Sequence, residues 1–577
     1  MKKYKYITNT LLGIILLGVC SCNNDFMDRY PTTSISDENF WNSEKDLEIY
    51  CNGLYTFIEG HASGHTKSPL LTGDNQSDNM APQDYNIIAA GEHVVPAKSG
   101  DSDWNWTFTR KCNYFLNRYQ KTPIKEDVKD AYAGEIMFFK AWDYFKKVKR
   151  YGDVPWISKD LNVDSEELYG PRDSRIIVMD SVLHCIDWAI SKLPAYEKAS
   201  PNRINRDVAL ALKARICLHE GTFRKYHGIE NHEKFLKEAM TAANTLITEK
   251  HYSVYNTGDP EWDYRTLFCS LDLKGNPEMI YYKVYELGLL GNRTSNFIEG
   301  GEANLGFSVS KSLIESYLCK CGKPISLCKE HYLGDDSIQS ELLNRDPRLT
   351  QTVCYPGKDL QRETLKPSIP GSNIATGVIP TGYQIIKYWV DDREEYLRYQ
   401  NGILDAPIFR YAETLLIYAE AAAELNLCDQ NVLDNTINLL RKRAGMPDMR
   451  IETLEKDPAS DFPELPVLID EIRRERGVEF ALEAMRYDDL MRWKAGKLLE
   501  KTVRGMKFVQ SQYPTVVVGK HIDIDENGYI LPYKKILPNG RKFDESKHYY
   551  FPLPTEELVL NLSLIHISEP TRRTPIS

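Results

Sequence analysis

Beyond its first 22 residues the sequence has no apolar run approaching the ~18 residues of a membrane helix, which excludes a polytopic membrane chain. Positive charge is also scarce. Lys and Arg number 72 against 82 Asp and Glu, for a net charge of −10 and a pI near 5.8. Such a balance gives no global attraction to nucleic acid or anionic lipid, so neither is expected as a partner through charge alone. No G-x-S-x-G, Walker A or G-x-G-x-x-G motif is present. His219-Glu220 does not complete H-E-x-x-H, because Phe223 stands where the second His belongs. The 12 cysteines are scattered and do not form a disulfide framework. With 42% hydrophobic and 27% charged residues, the chain is of ordinary globular composition. Its 577 residues suffice for a large core.

What the chain has in plenty is tyrosine: 35, against 19 Phe and 9 Trp. Tyr and Trp join an apolar face to a polar edge, which suits helix contacts and sugar stacking alike. The N-terminus carries an address. Lys2, Lys3 and Lys5 form a basic region, and residues 11–19 are apolar but too short to span a bilayer, the pattern of a secretory signal. Cys22 follows Ser21, a small residue, and the segment resembles a bacterial lipobox. Residues 1–21 are therefore expected as a signal peptide, with Cys22 acylated and several acyl chains anchoring the protein at ~0.8 kcal/mol per buried CH₂.

Helical periodicity marks residues 130–151, 174–193, 207–221 and 233–250, fades from about 251 to 407, and returns at 411–426, 432–444, 467–483 and 484–500. Eight helices in consecutive pairs, with Ala211, Ala214, Ala242, Ala243, Ala419 and Ala422 at close-contact positions, predict tetratricopeptide-like hairpins. The expected fold is mostly α, with 251–407 as an irregular, loop-rich lobe. The segment 523–529 resembles half of an EF-hand loop, but Lys534 occupies the position of the bidentate Glu, and a hairpin turn at Asn527-Gly528 is the better reading.

Several blocks carry a family resemblance: the run from Cys22 to Pro31, then Asp37 to Trp41; GEIMFFKAWDYFKKVKRYGDVPWI (134–157); NRDPRL (344–349); the 411–426 helix; EIRRERGVEFALEAMRYDDLMRWKAGK (471–497); and YYFPLPTEELVLN (549–561). Together they resemble SusD/RagB outer-membrane lipoproteins over nearly the whole mature chain, 22–562. The resemblance implies a tetratricopeptide-like scaffold, a ligand-binding subdomain without catalysis, and a place as lid on a SusC-like TonB-dependent transporter, capturing oligosaccharide or, in some members, peptide. The tail 563–577 departs from the family. It resembles translated adapter read-through, a natural disordered tail being the alternative, and is set aside from the fold.

Glu471, Glu475 and Glu479 recur every four residues, at the separation of a retaining glycosidase's carboxyls. On one helix stripe they project in parallel, and Arg473, Arg474 and Arg476 offer ion pairs, so a salt-bridge ladder is expected. Cys319-x-Cys321-x₆-Cys328-x₂-His331 gathers soft ligands but lacks paired C-x₂-C knuckles. Zinc, a local disulfide and free thiols stay open there, and neither metal nor cofactor is assigned. The capture surface is placed instead in loops where aromatics meet amides and carboxylates. In 73–106 the candidates are Asn75, Asp78, Tyr85, Trp104 and Trp106; in 281–297 they are Tyr285 and Asn296. Tyr383, Tyr388 and Trp389 form a third group. If 104–106 is helical, only one Trp can face a given surface. The expected function is a glycan-binding lipoprotein of the outer membrane. Peptide capture and a scaffold without its own ligand site are the alternatives.

Overall fold

The structure is a computed structural model and describes residues 40–61, 69–295, 307–357, 359–360, 363–364, 369–372 and 379–567. Cys22 and Asn296 lie outside the described residues. Helices dominate. In the N-terminal half these are α1 (Glu44–Leu54), α2 (Thr107–Leu116), α3 (Glu126–Tyr151), α4 (Arg175–Lys192), α5 (Arg206–His227) and α6 (His232–Glu249). Local chemistry sets their ends. Glu126 and Asp127 open α3 and Lys149 and Arg150 close it, matching the helix dipole at both ends. Gly152 then takes a φ of 72° and its N–H donates to the Val148 carbonyl, ending the helix. The side chain of Ser174 caps α4, and that of Asn205 caps α5 through the N–H groups of Asp207 and Val208.

The helices pack in sequence: α3 on α4, α4 on α5, α5 on α6. The six alanines named above are all buried in these layers. Gly221 lets α5 and α6 approach so closely that a Cβ there would stand 2.8 Å from the Leu236 side chain. Among the described residues between α6 and 405 the elements are short: α7 (Asp263–Cys269), strand β1 (Met279–Lys283), α8 (Lys311–Ser316), a small antiparallel pairing of Asp359–Leu360 with Glu363–Thr364, and a few single turns. Strand β2 (Ala406–Arg410) pairs antiparallel with β1, Met279 opposite Arg410, so the excursion between them closes as a ribbon. Two separate hydrophobic clusters fill this region, one around Tyr317, Tyr383 and Ile385, the other around Tyr264, Phe268 and Trp389. Tyr383, Tyr388 and Trp389 are thus core, not surface.

The chain then re-enters the helical layers as α9 (Tyr411–Glu424), α10 (Ile437–Arg443), α11 (Val467–Glu479) and α12 (Arg486–Arg492). The α9 helix packs on α6, and α10 and α11 pack on α9. The helix expected over 484–500 is shorter and lies against α5 instead of pairing with α11. Leu482 and Ala484 adopt φ of 64° and 62°, which turns the chain sharply between the two. The buried Asp74 carboxylate compensates that strain by accepting from the Leu482 N–H at 2.9 Å. Gly73 makes the approach possible, since a Cβ there would lie 2.2 Å from Ala484.

The carboxylates of α11 are buried and paired, mostly with partners from other elements. Glu479 is 0% exposed and accepts from Arg348 (2.8 Å), Arg410 (2.7 Å) and Arg443 (2.6 Å). Glu475 pairs with Arg441 and Arg348. Only Glu471 keeps the expected helical neighbour, Arg474, at 3.2 Å. Burial would raise the pKa of Glu479, but Arg443, Arg410 and Arg348 outweigh it and hold the carboxyl far below the usual range. A carboxylate depressed on folding stabilises the fold above its unfolded pKa and loses that contribution as pH falls. Glu479→Gln is therefore expected to destabilise the protein by roughly 3–5 kcal/mol, since it strands buried guanidiniums. Thermal melts should also show a shallower loss of stability below about pH 5 than in the wild type, because the titrating group is gone.

Candidate ligand-binding site

Two open cavities are lined by the loop that follows α1. The smaller, about 380 Å³, lies between Asp78, Asn79, α8, the 325–332 loop, the 457–462 loop and α11. Its charges are largely satisfied within the fold. Arg486 donates to Asp78 through two bonds of 2.8 Å, and Arg474 donates to Asp457 at 2.7 Å. Burial opposes ionisation of Asp78, but the Arg486 guanidinium outweighs it and lowers the pKa.

The larger cavity, about 530 Å³, is a groove over the C-terminal end of α3. Its floor is aromatic. Phe57 and Phe108 are half-buried and stack with centroids 4.3 Å apart, and Tyr487 and Phe551 also line it. Gln76, Ser102, Asn105, Thr107 and Lys111 supply amide, hydroxyl and ammonium groups around that floor. Each of its carboxylates faces a base: Glu59 with Lys146 (2.8 Å), Asp103 with Arg150 (2.9 Å), Asp143 with Lys147, and Asp488 with Lys149. The Lys146 ammonium lies 5.0 Å over the Phe57 ring and the Arg150 guanidinium 3.7 Å over the Phe551 ring, so the groove combines aromatic rings with paired polar groups, which suits a ligand that has apolar C–H patches and many hydroxyls.

The candidates read from sequence fall in different places. Asp78 lines the smaller cavity. Asn75 is buried, and its Oδ1 has no hydrogen-bond partner. Tyr85 is half-buried, its hydroxyl donating to Glu92 at 2.9 Å, edge-on to Tyr533. Tyr285 is buried, with its hydroxyl on the His61 carbonyl and its N–H on Asp405 at 2.9 Å. Trp104 is 2% exposed and packs edge-on against Tyr151 and Trp106. A ring enclosed in this way has no face for a sugar, so Trp104 is a core residue in this structure. The segment is not helical: Trp106, just before α2, has φ −101° and ψ 2°, and Asn105 between the two Trp is exposed. Trp106 is half-buried against Tyr144, under the Lys147 ammonium. Of the candidates in this loop only Asp78 lines either cavity, while Gln76, Ser102, Asp103 and Asn105 of the same stretch line the groove. Phe57 and Phe108 are not legible as a pair in the sequence because they lie 51 positions apart on the ends of separate elements.

The other motifs resolve as structure. Asp525 accepts from the N–H groups of Asn527 and Tyr529 at 2.9 Å, and Ile524 bridges Ile530, which makes a hairpin turn. His219 is buried against Phe145. Among the described residues every cysteine is free, and most are buried. Ser563 and Leu564 rest on the body, Ser563 through the carbonyls of Tyr169 and Gly170.

Comparison with known proteins gives a consistent result. Residues 289–568 match the family model described as "SusD family", and residues 25–218 match "Starch-binding associating with outer membrane". SusD-like protein P38 of Formosa agariphila is 24% identical over 522 residues, covering 85% of this chain and 92% of its own length. SusD-like protein P2 of the same organism is 23% identical, covering 98% of this chain and 99% of its own length. Among solved structures, a SusD-like carbohydrate-binding protein of Bacteroides fragilis shares the fold with a TM-score of 0.73 at 23% identity, covering 91% of this chain and 99% of that one. Surface glycan-binding protein A of Bacteroides fluxus follows at a TM-score of 0.55 and 18% identity, covering 86% of this chain and 96% of its own. With both family models in chain order along a mostly helical scaffold of the same fold, this chain belongs to the SusD/RagB family.

Proposed function

We propose that this protein is a non-catalytic, lipid-anchored glycan-binding protein of the outer membrane, which captures oligosaccharide in the groove over α3 and delivers it to a TonB-dependent transporter of the SusC type. The observation that carries the reading is the half-buried Phe57–Phe108 stack, ringed by Gln76, Ser102, Asn105 and Thr107. Relatives described as carbohydrate- or glycan-binding support the ligand class. The family description "associating with outer membrane" supports the location, and the Ser21-Cys22 signal supports the anchor. A glycosidase needs a carboxyl that holds a proton beside a second that attacks or activates water. In this groove the four carboxylates are each engaged by a Lys or Arg, which supports capture without cleavage.

A glycan-array screen of the mature chain, with a peptide library in parallel, identifies the ligand. Once it is known, Phe108→Leu keeps the apolar volume and removes the ring. Calorimetry should then show a loss of about 0.5–1.5 kcal/mol in binding, roughly two- to twelvefold, with the melting temperature nearly unchanged. Trp104→Ala should do the reverse, lowering stability by roughly 3–5 kcal/mol through a core cavity. Normal glycan binding by Phe108→Leu and Asn105→Ala together would move the site elsewhere, and release of new reducing ends by the purified protein would overturn the non-catalytic reading.

The anchor has its own test. Cys22→Ala should shift the protein from the membrane fraction to the soluble fraction in cell lysates. Retention in the membrane would mean that Cys22 is not the acylated residue.

A further inference from the structure

The loop between α8 and the 338–342 turn brings together residues that are scattered in sequence. The Sγ atoms of Cys321 and Cys328 stand 3.5 Å apart, and Cys328 Sγ lies 3.9 Å from His331 Nδ1. All three ligand atoms fall within 4.8 Å of one another. Tetrahedral zinc, with Zn–S of ~2.3 Å and Zn–N of ~2.0–2.1 Å, has S···S edges of roughly 3.8 Å and S···N edges of roughly 3.6 Å. The observed separations match such edges. Cys319 is buried in the same turn, but its sulfur does not join this three-atom group.

The backbone is arranged around these sulfurs. The turn that presents Cys319 and Cys321 is closed by the Gly322 N–H on the Cys319 carbonyl and the Cys319 N–H on the Lys323 carbonyl, both 2.8 Å. Gly322 takes a φ of 82°, a conformation other residues rarely adopt.

We propose that Cys321, Cys328 and His331 bind zinc, with water completing the tetrahedron. Two thiolates and one imidazole are a donor set that favours zinc over harder cations. The metal sits within one loop, where it acts on shape. The ligands bracket Ile325 and Ser326 and adjoin Tyr332, all of which wall the smaller cavity, and Ser326 and Lys323 reach across to Asp457 and Glu455. Bound zinc would clamp that wall in place. The proposal is independent of the glycan groove over α3, which shares no residue with this loop.

The test uses the mature chain purified without a polyhistidine tag. Elemental analysis after zinc addition and desalting should give one zinc per chain. Cobalt substitution should give the thiolate-to-metal charge-transfer bands of a tetrahedral sulfur-rich site. Cys321→Ser and Cys328→Ser should each abolish both. If those variants fail to fold, alkylation of the wild type decides: zinc should protect Cys321 and Cys328 from iodoacetamide, and a chelator should restore their reactivity, while the partly exposed Cys428 reacts equally in both states. Absence of zinc from a folded chain with free thiols, a Cys321–Cys328 disulfide found by non-reducing peptide mapping, or stoichiometric zinc in Cys321→Ser would each overturn the proposal.

Discussion

A carboxylate taken out of water loses several kcal/mol of hydration unless opposing charges replace it, and Glu479 has that hydration replaced by three guanidiniums from three distant stretches of chain. Arg348 comes from the irregular excursion, Arg410 from the end of β2 and Arg443 from the end of α10. The cluster extends through Glu278 beside β1 and through Glu483, which receives both Arg410 and the buried Lys387. Burial pushes the Lys387 ammonium down to about 8 against the pull of Glu483. Each charge in this cluster is tolerable only while the others are in place. The helical layers and the irregular region meet at this cluster, where Val478, Ala481 and Leu482 also pack with Tyr317 and Tyr383, so charge and apolar contact together hold the junction.

The same junction positions the walls of the two cavities. Immediately after Glu479 the chain turns through Leu482 and Ala484 and meets the loop at 73–79. Asp74, pushed up to about 6 by burial, binds the turn, and Asp78 binds Arg486. That loop then lends Asp78 and Asn79 to the smaller cavity and Gln76 to the groove over α3. Both cavities thus share one buried network, with α3 under the groove and α11 beside the smaller cavity.

Much of this was legible in the chain. The 3.6-residue pattern located the long helices because their core faces are continuous, as in 130–151 and 411–426, and the alanines marked the close contacts between layers. The Arg-Glu run at 471–479 announced ion pairs but not their partners, since pattern within a helix says nothing of side chains arriving from residues 348, 410 and 443. The helix expected to begin at 484 was misjudged for a related reason: a tertiary contact, Asp74 on Leu482, sustains a left-handed turn that local propensity would not choose. At the site, clustering of Trp and Asn pointed to the loop 73–106. Which of its residues face outward depended on the non-helical backbone at 104–106, where Trp104 is buried and Asn105 exposed, and on Phe57, contributed from beyond α1. The cysteine and histidine spacing at 319–331 is irregular, and only the fold of the loop reveals that its sulfurs converge.

The most direct test of the central claim, that the groove over α3 is the capture surface, is hydrogen–deuterium exchange on the mature chain with and without a saturating oligosaccharide that it binds. Protection is expected in the segments around 54–59, 102–111 and 485–489, with the core of α5 and α6 unchanged. Protection confined to 325–332 and 457–462, or to segments lining neither cavity, would contradict the account.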